Sequence, residues 1–203
     1  SSYSKLSSGL RINKASDDAA GLAIADGLKS EQKVASVAIR NANDGISLIS
    51  IADGAMNQIG NVLQRMAELS EQSANGVLST TQRSALDAEF KSLGSEIDRI
   101  AVTTKFNGLD LISSSGPTFS LQVGFKAESN SQITFDAVCG TLKSLGLSSG
   151  LGQALNFNLN GTDGANARSA LDAVKDAITS LSSSRGTLGA VESRLNTTIA
   201  NLQ

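Results

Sequence analysis

Histidine is absent from the sequence. Imidazole-based acid–base catalysis and histidine-ligated metal sites are therefore excluded. Cysteine occurs once, at Cys139, so no internal disulfide can form. We read that residue as a small buried apolar side chain. Tryptophan is missing and aromatics make up 3% of the chain, which leaves little with which to line a pocket for a flat ligand. Basic residues are scattered and the net charge is −2, so there is no patch for nucleic acid. No apolar run is long enough for a membrane span, and no charged segment followed by an apolar one marks a secretory signal at the N-terminus. Phosphate-binding loops, dinucleotide fingerprints, metal-ligand clusters and nucleophile–base constellations are also missing. Asp17-Asp18 and Glu68/Glu71 are acid pairs on which nothing else converges, and they read as solvated charges. The expectation is a protein that is not an enzyme and uses no cofactor or metal.

What the chain does have is one long periodic stretch. From Ile24, steps of four and three reach Leu28, Glu31, Ala35, Ala38, Ala42, Gly45, Ile49, Ala52, Met56, Ile59, Leu63 and Met66. All but Glu31 and Gly45 are apolar. This alternation is the seam of a helix packed lengthwise on other helices. A helix from about residue 22 to residue 74 would be roughly 75 Å long, which predicts a rod. Gly27, Gly45, Gly54 and Gly60 each cost about 1 kcal/mol relative to alanine in a helix interior, and they suggest close contacts.

Residues 1–21 are interrupted by Ser, Gly and Asn and read as an irregular, partly extended lead-in. Ser16, Asp17 and Asp18 resemble a helix start. Asn75-Gly76 ends the long helix, with positive φ expected at the cap. Thr80 or Thr81 opens a second, antiparallel helix with a seam of Leu86, Phe90, Leu93, Ile97 and Ile100. Three β-like runs follow, Leu109–Ile112, Thr118–Val123 and Gln132–Phe135, predicting a small hairpin or three-stranded patch that caps the rod. A final helix begins near Ala167, with a seam of Leu171, Val174, Ile178, Leu181, Leu188, Val191, Leu195, Ile199 and Leu202 and a phase shift near Arg185-Gly186.

The fold class expected is mainly α: an elongated antiparallel helical rod with a small antiparallel β element. Residues 22–112 and 166–203 form the rod, 113–136 the β element and 137–165 a variable connector. Both ends read as trimmed, since Ser1 is not Met and Gln203 follows the last seam residue directly. Packing is assigned to Leu10, Ile49, Met56, Leu63, Leu93, Ile97, Leu188 and Leu195.

Several stretches are similar to the bacterial flagellins. LSSGLRINKASDDAAGLAIADGL (6–28) resembles their N-terminal signature, and RNANDGISLISIADGAMNQIGNVLQRMAELSEQSANG (40–76) resembles the segment after it. EIDRIAVTTKFNGLDLI (96–112), LQVG (121–124) and LGAVESRLNTTIANL (188–202) continue the likeness in order. The resemblance implies a self-assembling subunit of the flagellar filament, exported through the flagellar type III apparatus to an extracellular tube. It implies that the family's extreme ends, which form a coiled-coil inner layer, lie outside this stretch, leaving a largely monomeric rod. Two alternatives stay open: a hook-associated junction protein, and a surface adhesin on a flagellin frame with 136–165 as its working part.

The resemblance also implies recognition by the ectodomain of the innate immune receptor Toll-like receptor 5. The motif LQRxxEL stands here as Leu63-Gln64-Arg65-Met66-Ala67-Glu68-Leu69. Arg65 and Leu69 match receptor-contacting positions, Glu89 matches the acidic partner on the second helix, and Gln72 lies one turn beyond Glu68. The seam reading adds that Leu63 and Met66 face inward. Arg65 and Leu69, four apart and off the seam, are expected to share an exposed face.

Overall fold

A computed structural model describes residues 7, 9, 18–112, 117–126, 128–150 and 152–203. Leu10 lies outside the described residues, as does most of the lead-in. Among the described residues, three long helices carry the fold: α1 (Ala19–Ala74), α2 (Thr80–Thr103) and α3 (Ala165–Leu202). The first spans about 84 Å. It starts earlier than the periodicity predicts because the Asp18 carboxylate caps it, accepting from Gly21 N at 2.9 Å. Ala19 to Gly21 are therefore helical, which corrects the boundary of the irregular segment. Ser79 opens α2 in a capping box with Gln82: each side chain bonds the other's backbone N–H.

The α1 seam is buried from Ala38 through Ala42, Gly45, Ile49, Ala52, Met56, Ile59, Leu63 and Met66. Ile24 and Leu28 are more than half exposed. α3 runs antiparallel to α1: Gly164 approaches Ala74, Leu181 lies beside Gly60 and Leu195 beside Gly45. Its last turns reach the level of Ala38, so α3 does not extend along the first turns of α1. Of the four helical glycines, Gly45 makes the close approach, where a Cβ would collide with Leu121. Gly27 and Gly54 face open space.

α3 is one uninterrupted helix, and no phase shift occurs at Arg185-Gly186. Its buried line is Ala167, Ala170, Val174, Ala177, Leu181, Leu188, Val191 and Leu195. Half-buried Ser184 fills the place between Leu181 and Leu188. Reading large residues alone displaced the line to Leu171 and Ile178, which flank it.

Among the described residues, the named strands form two separate two-stranded sheets. β1 (Lys105–Phe106) pairs with β2 (Leu109–Asp110) around the left-handed Asn107-Gly108 turn. β3 (Thr118–Gln122) pairs antiparallel with β4 (Gln132–Asp136), Ser120 opposite Thr134. Phe119 and Phe135 stack at 5.3 Å on the buried face. This hairpin does not cap the rod. It lies along its flank, with Asn41 Nδ2 donating to Gln122 O at 2.9 Å.

The connector is part of the core, contrary to expectation. Leu142, Leu145, Leu147 and Leu159 are buried in the same cluster as Phe90 and Ile97. Cys139 is exposed, which corrects its assignment as a buried residue. Neighbouring Ala137, Val138 and Gly140 take the inward places.

Candidate functional site

Arg65 sits on the outer face of α1, where the helix runs against α2. Its Nε donates to Glu89 Oε1 at 2.9 Å, and its Nη1 donates to Glu68 Oε2 at 3.0 Å. The side chains are roughly half exposed. The two carboxylates push the guanidinium further above its ordinary value, Glu68 first and Glu89 next. One member comes from one turn along the same helix, and the other comes from the antiparallel neighbour. The result is a fixed, planar, solvent-facing cluster with donors still available to a partner. Gln72 is exposed on α1 two turns beyond Arg65. It joins Ala67, Glu71, Leu78, Leu171 and Ile178 along an open groove between α1 and α3.

Leu69 is different. It is fully buried beside Met66 in the core and does not share the exposed face of Arg65. On a helix of 3.6 residues per turn, a position four along is rotated by about 40°, which is enough to move it beneath the surface. Ser70 and Ser73 are buried with it, as the α1 seam widens where α2 packs on one side and α3 on the other. Of the assigned packing residues, Ile49, Met56, Leu63, Ile97, Leu188 and Leu195 are buried, and Leu93 is half-buried against the same cluster.

Behind this surface lies a polar clamp that sequence reading missed. Arg83 is fully buried. It donates from Nε to Ser73 O (2.9 Å), from Nη1 to Gly161 O (2.9 Å) and from Nη2 to Asn75 O (3.0 Å). It thus satisfies carbonyls at the C-terminus of α1, where they have no helical partner. Asn75 has φ −66°, not the positive value expected, since Arg83 supplies the cap instead. Asp87 and Asp98 are also buried. Asp87 accepts from Leu159 N (2.8 Å) and Asn160 Nδ2 (2.9 Å), and Asp98 from Leu142 N (3.0 Å) and Gly152 N (2.9 Å). The buried line of α2 is Arg83, Asp87, Phe90, Gly94, Ile97 and Ala101, an unbroken alternation of four and three. Stepping through all residue types, and not the apolar ones alone, would have exposed it.

Among the described residues, no group of three or more His, Cys, Asp or Glu side chains is placed to hold a metal ion. No described helix is long and apolar enough to cross a membrane.

Residues 1–116 match the family model of the bacterial flagellin N-terminal helical region. The chain belongs to the bacterial flagellin family. Residues 171–203 also match the flagellin C-terminal helical region. Polar flagellin F of Vibrio parahaemolyticus is 50% identical over 123 residues, covering 61% of this chain and 33% of that protein. Flagellin B of Vibrio anguillarum is 43% identical over 145 residues, covering 71% and 39%. The chain thus spans about a third of the length of these curated flagellins. The crystal structure of Bacillus cereus flagellin superposes with a TM-score of 0.67 at 30% identity, over 81% of this chain and 89% of that one. A hook-associated protein structure from V. parahaemolyticus, described there as putative, shares the fold at 18% identity with a TM-score of 0.72. The family is structural, and the chain is not an enzyme.

Proposed function

We propose that this flagellin-family chain is a subunit of the bacterial flagellar filament. It reaches the cell exterior through the flagellar type III export apparatus and assembles there with copies of itself. The observation that carries this reading is the match of flagellin helical regions at both ends of one antiparallel rod. The exposed apolar positions Ile24 and Leu28, which continue the buried seam of α1 beyond the reach of α3, are consistent with further helical packing there. Adding the full chain to sheared filament seeds tests assembly. Elongation seen by electron microscopy is the expected result, and full chains that stay monomeric on competent seeds would contradict it.

The second part of the proposal is recognition by the Toll-like receptor 5 ectodomain through Arg65, Gln72 and Glu89. Its support is the Arg65–Glu89 pair, which holds the arginine fork toward solvent at the two-helix junction. Arginine set in a partly desolvated, pre-organised position is the kind of anchor that dominates binding energy. Leu69, being buried, acts beneath this face and not as a contact.

A further inference from the structure

The described residues from 141 to 161 have neither helix nor a strand of the two sheets, yet their leucines are buried in one cluster with Phe90 and Ile97 of α2. What fixes them is unusual. Among the described residues, no ladder of backbone hydrogen bonds ties them to the rod. Three buried charged side chains of α2 do most of this instead, joined by Ser73 of α1, which donates to Leu159 O, and Asn166 of α3, which donates to Asn160 O. Asp98 holds Leu142 N and Gly152 N, Asp87 holds Leu159 N and Asn160, and Arg83 holds Gly161 O. Leu155 closes over Gly94, where a Cβ would meet it at 2.8 Å. The segment leaves at Gly161 and Gly164, both with positive φ, and turns at Gly146 and Gly152, also with positive φ.

From this anchoring we infer that residues 141–150 and 152–161 form a clasp that opens as one cooperative unit while the three-helix body stays folded. The physical ground is the distribution of contacts. α1 and α3 are joined by a continuous apolar seam that can be lost only by unfolding the rod. The clasp contributes four buried leucines, charge-assisted bonds to three side chains of α2, and side-chain ties to Ser73 of α1 and Asn166 of α3. Elements with few apolar contacts and no secondary structure of their own open below the global unfolding free energy. A charged acceptor shared between two distant amides links the clasp's two halves, since Asp98 cannot release Leu142 without loosening Gly152. Opening bares the α2 surface at Gly94 that Leu155 covers in the resting structure.

The test is amide hydrogen exchange resolved at Leu142, Gly152 and Leu159, with the core of α1 as reference. The three clasp amides are expected to exchange at a common opening equilibrium, at least about a hundredfold more often open than the α1 core. Their exchange should depend more weakly on added denaturant. Asp98→Asn replaces a double acceptor with one that presents a donor to an N–H. It should accelerate all three amides by a similar factor, about ten- to a hundredfold, including Leu159, which Asp98 does not touch. Two results would overturn the inference. One is clasp amides that exchange only at the rate of the α1 core. The other is acceleration at Leu142 and Gly152 with Leu159 unmoved. The wild-type rates and denaturant slopes decide the matter even if the variant does not fold.

Discussion

The guanidinium of Arg65 on α1 bonds Glu89 on α2 across the helical hairpin, Nε to Oε1 at 2.9 Å. These residues lie 24 apart in sequence, and the pair forms because Asn75 to Leu78 turn the chain back in a short loop. The contact is solvent-facing, so its worth to stability is small. Its value is geometric: it fixes a charged fork on an otherwise polar rod. Reversing Glu89 with Glu89→Lys should free and repel Arg65. The expected result is unchanged helical circular dichroism with receptor activation down by about tenfold or more.

Leu69 is expected to behave in the opposite way. Leu69→Ala leaves a cavity beneath α2 and should destabilise the fold by about 2–5 kcal/mol. Denaturant unfolding measures this. A loss under about 0.5 kcal/mol, the range of a surface change, would contradict its burial.

Arg83→Ala removes a donor from three carbonyls, those of Ser73, Asn75 (which keeps Leu78 N) and Gly161, and empties the space of a large buried side chain. The expected cost is about 3–5 kcal/mol, among the larger effects a single substitution produces. Equilibrium unfolding in urea reads it directly.

Most of the fold was legible in the sequence because small aliphatic residues at steps of four and three admit one interpretation, a long packed helix. The Ile49–Met66 seam and the Phe90 and Ile97 positions of α2 emerged from that step alone. Three features did not, each for a physical reason. Ala and Ser at the α3 seam carry little hydrophobic weight, so Ser184 read as a phase shift. Arg83, Asp87 and Asp98 are buried because distant backbone groups meet them, those of the connector for all three and those at the end of α1 for Arg83, which no local pattern announces. The in–out alternation of Ile133, Phe135 and Ala137 would carry Cys139 inward, but it breaks at buried Val138 and leaves Cys139 outside. Of the candidate site, Arg65 and Glu89 meet on an exposed face, and Leu69, expected on that face by treating a four-residue step as one side, is buried.

The glycines of α1 separate into two kinds. Gly45→Ala would press on Leu121 and crowd Leu195, and should destabilise by about 1–3 kcal/mol. Gly54→Ala meets open space and should stabilise the helix by about 1 kcal/mol. Thermal unfolding of the two variants is expected to shift in opposite directions. A shift of the same sign in both would contradict the packing described at Gly45.

Cys139 should react with a thiol reagent such as Ellman's in the native protein, at a rate close to that in denaturant. Protection until the chain unfolds would contradict its exposed position.

The most direct measurement is surface binding of purified Toll-like receptor 5 ectodomain to the folded chain, beside Arg65→Asp at matched helical content. Saturable binding by the wild type, weakened about tenfold or more in the variant, is the expected result. Equal binding by both, or none by the folded wild type, would contradict recognition through the Arg65–Glu89 face.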